Sequence, residues 1–397
     1  MTPPDDEIPP LQPVVGGVVD PADLVGRARE LGQLLDAINS NGARLLGDRR
    51  IGKTSLLGKL EVELRAVGHT VIRVSAETTD PDTFSRWMVD GLRESRAIRA
   101  QWGRWEREFG GELSVKVAQV GFVLTGKTTS PAAPAASERD LVELLDEVTG
   151  RQGPHYRTII IIDEVTVLAQ ALGEASERGA ESFLHSLRAP RQKHHRVAMV
   201  LAGSVGLHHV VPDVSAVNDL VAVEVGPLEP DDAVYLARRL LRWENLAGQH
   251  ERELAETIAR LTDGQPYYIQ ALVEDLSNAA PSDRIDEVAI SQAVDEALLH
   301  DRWLHSHYDT RIDEYFGADA AVVRQLLDIY AMADTPLPID QVQALLQVAD
   351  LESRPNRDEL LDLVRKLEAD HYLVRRGNAD EFANELLRRA WVYRRRL

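Results

Sequence analysis

Eight residues, Gly47-Asp48-Arg49-Arg50-Ile51-Gly52-Lys53-Thr54, constrain this chain more than any other stretch. They fit the spacing G-x-x-x-x-G-K-[ST], with a short apolar run before them (43–46) and a helix-like run after them (55–61). The glycines let the backbone fold tightly, so that successive N–H groups point into one concavity where phosphates can be cradled. Lys53 supplies a mobile positive charge, Thr54 a hydroxyl for Mg²⁺, and the following helix aims the positive end of its dipole at the same place. Loose glycine patterns also arise by chance. The strand-like and helix-like flanks are what a phosphate cradle requires, and they favour a nucleotide site.

A second constraint lies at Thr158-Ile159-Ile160-Ile161-Ile162-Asp163-Glu164. Four consecutive isoleucines without alternation predict a strand buried on both faces, the habit of a central parallel strand. Ligands of open α/β sheets sit beyond the carboxyl ends of the strands, where these two acids fall. Asp163 would hold Mg²⁺, directly or through water, and Glu164 would polarise an attacking water. Acids also favour helix N-caps, but the phosphate loop upstream favours chemistry. Further strands are expected at 70–75, 197–202 and 221–225. The fourth ends at Gly203-Ser204, where Ser204 would sense a terminal phosphate or simply make a turn. Five strands separated by helical segments predict a three-layer α/β domain with a central parallel sheet.

Around this core, residues 1–20 are rich in proline, glycine and acid and are expected to form a flexible arm. Leu31, Leu34, Leu35 and Ile38 share one helix face ahead of the glycine loop. Helical sequence over 82–109 contains Trp87, Trp102 and Trp105, read as packing residues. A small hairpin is expected at 112–117 and 121–125, then a linker over 128–136 and a helix over 138–148. Gly226-Pro227-Leu228-Glu229-Pro230 breaks the α/β pattern, and helical sequence runs to about 300. Residues 301–397 read as three helices and a hairpin, the order of a winged helix. The expected domains are therefore 1–20, 21–226, 227–300 and 301–397.

The chain has 397 residues, no cysteine and a formal net charge of −19. A thiolate metal site and a thiol nucleophile are excluded, and the charge works against non-specific attraction to nucleic acid or anionic lipid. No run is long and apolar enough for a membrane helix, and the acidic N-terminus is unlike a signal peptide. A cytoplasmic location without membrane association is expected.

Several of these motifs, in register, resemble the STAND branch of P-loop ATPases, especially the archaeal-type ATPases related to the origin-recognition clade of AAA+ proteins. Val25-Gly26-Arg27 followed by Glu30-Leu31 is similar to the family's adenine-side motif. Gly47 to Thr54 with Ser55-Leu56-Leu57 is similar to its Walker A, with Asp48 where proline is commoner. Asp163-Glu164 matches Walker B, Gly203-Ser204 the sensor, and Gly264-Gln265-Pro266 the G-x-P motif of a helical lid. The resemblance implies an α-helical lid and a C-terminal winged helix behind the P-loop NTPase domain. It implies a nucleotide pocket of Val25, Gly26, Arg27, Gly47, Arg50, Ile51, Gly52, Lys53, Thr54, Ser55 and Pro266. Thr54 and Asp163 would hold Mg²⁺, while Lys53, Glu164 and Ser204 would act on ATP. An arginine often completes hydrolysis in this family, and Arg188 and Arg191 are the candidates.

The expected function is a slow, regulated ATPase that couples nucleotide state to domain arrangement, with a protein partner or self-association. One alternative is a DNA-binding ATPase using the winged helix. The basic clusters at Arg375-Arg376, Arg388-Arg389 and Arg394-Arg395-Arg396 would serve DNA, but the mixed charge of 357–369 suits a major groove poorly. A second alternative is an ATP-binding scaffold without turnover.

Overall fold

The computed structural model describes residues 8–94, 99, 153, 155–176, 178–203, 206–211, 214–246, 248, 250–279, 285–303, 306–348 and 354–397. Trp102, Trp105, the expected hairpin, linker and 138–148 helix, and Ser204 lie outside the described residues. The chain divides into two units, Val19–Val225 and a second made of Met1–Val18 with Gly226–Leu397.

The first unit holds a parallel sheet of β1 (Gly42–Gly47), β2 (Thr70–Ser75), β3 (Thr158–Asp163), β4 (Val197–Ala202) and β5 (Val221–Val225), in the order β2-β3-β4-β1-β5. Its helices are α1 (Ala28–Ile38), α2 (Lys53–Ala66), α3 (Pro81–Glu94), α4 (Val165–Ala175) and α5 (Gly179–Lys193). The isoleucine run explains the layering. Ile159 and Ile161 join Leu34, Leu45, Leu56 and Leu60 in the core under α1 and α2. Ile160 and Ile162 join Leu168, Phe183 and Leu187 under α4 and α5 on the opposite face. Strand periodicity sends alternate side chains to opposite faces, so a strand covered on both sides must be apolar at every position. All six residues of β3 and of β4 are buried. The edge strand β5 leaves Val221 exposed. Because every strand is parallel, the loops after β1 and β3 emerge from the same edge of the sheet. Trp87, expected to pack, is partly exposed on α3.

In the second unit α6 (Pro230–Trp243), α7 (Glu251–Leu261), α8 (Pro266–Ala279) and α9 (Glu287–Leu299) form the segment expected as the lid. Proline occupies the first turn of α6 beside Asp231 and Asp232, where a missing N–H and negative charge are both tolerated. Gly264 closes α7 with φ +66°, and a Cβ there would stand 2.8 Å from the carbonyl oxygen of Leu228. Residues 8–18, expected as a flexible arm, run along these helices. Ile8 and Leu11 are buried, Leu11 N donates to Arg239 O at 3.0 Å, and Val14 N donates to Gln270 Oε1 at 2.8 Å. Composition hid this because the docking uses two apolar anchors and backbone groups, which leave little periodic signal.

The rest of the unit comprises α10 (Ser306–Phe316), α11 (Ala320–Ala331), β6 (Leu337–Pro338), α12 (Ile339–Gln347), α13 (Arg357–Ala369), β7 (Leu373–Arg376), β8 (Ala379–Phe382) and α14 (Glu385–Arg395). The antiparallel sheet β6-β8-β7 and helices α11, α12 and α13 share a core of Leu326, Val342, Leu360, Leu367 and Trp391, the order of elements expected of a winged helix. Asn356 opens α13 with a capping box completed by Glu359, satisfying three otherwise unpaired backbone donors, those of Asn356, Asp358 and Glu359. Helix α10 was not anticipated from sequence; Tyr372 Oη ties it down by donating to Tyr308 O at 2.6 Å.

Candidate functional site

The glycine loop follows β1 directly. Gly47 has φ +149°, and a Cβ on it would lie 2.5 Å from the carbonyl oxygen of Val225. Only glycine lets the chain turn here against β5. Arg50 and Gly52 also have positive φ, and α2 begins at Lys53. Among the described residues nothing lies within 4 Å of a Cβ built on Gly52. Lys53 is buried, with Nζ donating to the carbonyls of Gly47 at 2.8 Å and Asp48 at 2.7 Å. Ile51 anchors the loop in the core, and Ser55 Oγ accepts from Val19 N at 3.1 Å.

Of Val25, Gly26 and Arg27, the structure brings Arg27 to this loop; Val25 is buried and Gly26 has φ +67°. Arg27 is buried with φ +69°, and its Nη2 donates to Ile51 O at 3.0 Å while Nη1 stands 3.8 Å from Glu30 Oε1. The guanidinium thus fixes one carbonyl of the phosphate loop, a contact that the spacing of the motif did not disclose.

Asp163 closes β3 beside α2. The Thr54 hydroxyl lies close enough to its carboxylate to favour the charged form, and Oδ1 accepts from Glu164 N at 3.1 Å. Burial raises its carboxyl above the ordinary range and the charge of Glu164 pushes the same way; the Thr54 hydroxyl and Arg73 oppose them. Glu164 precedes α4 in the left-handed region (φ +54°, ψ +35°) and makes no side-chain capping bond. That removes the capping explanation for this acid. A non-glycine residue held there costs about 1–3 kcal/mol, and such strain concentrates at functional sites.

Two residues next to these acids were missed from sequence. Arg73 of β2 reaches Thr54 O at 3.0 Å and stands 3.9 Å from Asp163 Oδ2. Thr166, two residues beyond Glu164, is buried with no partner for its hydroxyl among the described residues, and a Cβ on Gly203 would lie 2.5 Å from that oxygen. A cation inside an apolar strand and a polar residue opening a helix were the available signals. Neither distinguishes a site from packing until the strands are ordered.

The arginines considered for completing hydrolysis are otherwise engaged. Arg191 is buried, with Nη2 2.9 Å from Asp219 Oδ1 and Nε 3.2 Å from Oδ2, and it also donates to Leu187 O and Ala216 O. Arg188 donates to Ser215 O at 2.9 Å and stands 4.0 Å from Asp219. Pro266, in the other unit, is the first residue of α8.

Backbone amides in a glycine loop, a lysine and a helix N-terminus form a donor set for phosphate. The hydroxyl of Thr54 and the carboxylate of Asp163 are the hard oxygen donors that Mg²⁺ takes. The residues present fit both groups.

The sheet, loop and paired acids define a three-layer P-loop NTPase fold. Solved structures of the same fold include the Walker-type ATPase PABY2304 of Pyrococcus abyssi, 18% identical, with 93% of this chain and 96% of that chain covered at a TM-score of 0.62. They also include the Aeropyrum pernix ORC2 protein in ADPNP-ADP complexes, 12% identical, with 94% and 95% covered at 0.55. No family model matches the sequence, and no curated protein matches it.

Proposed function

We propose that this protein binds and hydrolyses ATP with Mg²⁺ and acts as a STAND or AAA+-type switch whose nucleotide state sets domain arrangement and partner binding or self-association. The observation that carries this reading is the approach of Thr54 at the start of α2 to Asp163 at the end of β3, both held against Arg73, whose Nη2 donates to Thr54 O at 3.0 Å and stands 3.9 Å from Asp163 Oδ2. It joins the two expected Mg²⁺ donors beside a buried lysine. Thr54 and Asp163 would hold Mg²⁺, which when bound neutralises phosphate charge. Lys53 would exchange its two carbonyl acceptors for phosphate oxygens, and the loop amides would orient the chain of phosphates. Glu164 would align and polarise the attacking water. Val25, Gly26, Arg27 and Pro266 would border the adenine, Arg50, Ile51 and Ser55 would complete the phosphate loop, and Ser204 would sense the terminal phosphate. The position of Pro266 at the head of α8 supports a lid that binds nucleotide differently when open and closed, and so shifts the population of the two states.

The charged C-terminal region favours protein contacts over DNA. Arg376 pairs with Glu381, Arg388 with Glu385, Arg389 with Asp295, Arg394 with Asp301 and Asp309, and Arg395 with Asp328. Arginines already neutralised by carboxylates release few counterions from a duplex. Replacing Glu164 by Gln is expected to abolish phosphate release while leaving ATP binding intact. Unchanged turnover overturns the role of Glu164. Absence of turnover in the unaltered protein with ATP binding retained identifies a scaffold, and salt-dependent duplex binding lost in Arg375→Glu/Arg376→Glu identifies the DNA-binding alternative.

A further inference from the structure

We propose that Arg73 is a positioning residue that braces both Mg²⁺ donors of this site, Thr54 and Asp163, from behind. The inference rests on the nucleotide reading above and adds a residue to it. Arg73 lies in the middle of β2, paired in register with Ile161 of β3, in a strand otherwise almost wholly buried. A guanidinium at such a place is retained only with partners, and it has three. Nη2 donates to Thr54 O at 3.0 Å and faces Asp163 Oδ2 at 3.9 Å, while Nη1 faces Glu61 Oε2 at 3.6 Å. Helix α2 leaves room for it: a Cβ built on Gly58 would come within 3.3 Å of Arg73 Nη1.

The geometry divides the work. Glu61, which also pairs with Arg65 at 2.7 Å, anchors one arm of the fork. The other arm spans the turn that carries the Thr54 hydroxyl and the carboxylate oxygen of Asp163 left over by the Glu164 amide. Fixing both donors together restricts their freedom before a cation arrives, which is how groups behind the ligands tune metal affinity. A planar fork can span these acceptors; the single ammonium of lysine can hold only part of the set.

The test is ATP binding to the full-length chain, measured calorimetrically in EDTA and over a series of free Mg²⁺ concentrations. Arg73→Gln is expected to raise the Mg²⁺ concentration at half-effect about tenfold while changing affinity in EDTA by less than about twofold. Arg73→Lys should fall between it and the unaltered protein, and Glu61→Gln should shift the Mg²⁺ midpoint in the same direction by less. An unmoved Mg²⁺ midpoint overturns the proposal. So does an equal loss of affinity with and without Mg²⁺, which would make Arg73 a brace of the whole loop. If Arg73→Gln does not fold, Arg73→Lys and Glu61→Gln decide by the same criteria. Failure of the unaltered protein to bind ATP sinks the proposed function itself, a result distinct from failure of the Arg73 assignment.

Discussion

Arg191 and Asp219 are joined by two parallel contacts, Nη2 to Oδ1 at 2.9 Å and Nε to Oδ2 at 3.2 Å, in a place where the arginine is 1% exposed. Burial works to raise the Asp219 carboxyl, but its bonds to Arg191 and the nearby Arg188 hold it below the ordinary range. The pair ties α5 to the segment leading into β5. Removing Arg191 takes away the main partner of Asp219, which is left part-buried beside Arg188 and Asn41. Arg191→Ala is therefore expected to cost about 1.5–3 kcal/mol in urea unfolding, and a loss near zero would show that the site relaxes to admit water. If Arg191 instead completed hydrolysis, turnover would fall without loss of stability.

Gly203 and Thr166 make a second close approach. A methyl group on Gly203 would collide with Thr166 Oγ1 and Cγ2 at 2.5 and 2.8 Å. Gly203→Ala should destabilise by about 1–3 kcal/mol through overpacking. Thr166→Val keeps the shape and removes a hydroxyl that has no partner among the described residues, so it should be neutral or stabilising. Thermal unfolding of both variants checks this. A Thr166→Val protein that is stable but slow in ATP turnover would instead give that hydroxyl a catalytic use.

These contacts mark the limit of what the sequence discloses. Ile159 to Ile162 announced a strand covered on both faces because burial dictates residue type directly, and Gly47 to Thr54 announced its loop because the turn needs glycine. Residue type does not announce pairing across the sheet. Arg191 stands in the sequence as a candidate for completing hydrolysis, and only the fold places it against Asp219, 28 residues on. Arg73 carries no distinguishing signal within the strand expected at 70–75, and only setting β2 beside β3 brings it to Asp163. The docking of residues 8–18 was hidden for the same reason, since its partners lie more than two hundred residues away.

That docking has its own consequence. Arg239 Nε donates to Pro9 O at 3.1 Å, and Arg242 Nη1 donates to Ile8 O at 2.8 Å. Truncating both arginines to alanine removes two side-chain bonds, worth together about 1–3 kcal/mol, from a segment held by few others. Amide exchange at Leu11, whose N–H is bonded to Arg239 O, should then accelerate about tenfold or more. An unchanged rate would mean that Ile8 and Leu11 hold the segment by apolar burial alone.

In the C-terminal part, the carboxyls of Asp380 of β8 and Glu368 of α13 lie close together near the Tyr330 hydroxyl of α11, and Asp380 Oδ1, Glu368 Oε1 and Tyr330 Oη are all buried without a partner among the described residues. Burial, reinforced by Glu368, pushes the Asp380 carboxyl up to about 6, against the pull of Arg375. Two buried carboxyls this close favour holding one proton between them. Because the folded pKa lies above that of the unfolded chain, the folded state holds this proton more tightly over the interval between them. The associated stability is fully present below about pH 4, declines as pH rises toward 6, and is absent above that. Asp380→Asn supplies the shared hydrogen permanently. Its stability relative to the unaltered protein should therefore improve by on the order of 2 kcal/mol between pH 4 and pH 7, read from urea midpoints across that range. A difference that does not change with pH would mean that the pair is ionised throughout, and that Arg375 outweighs burial.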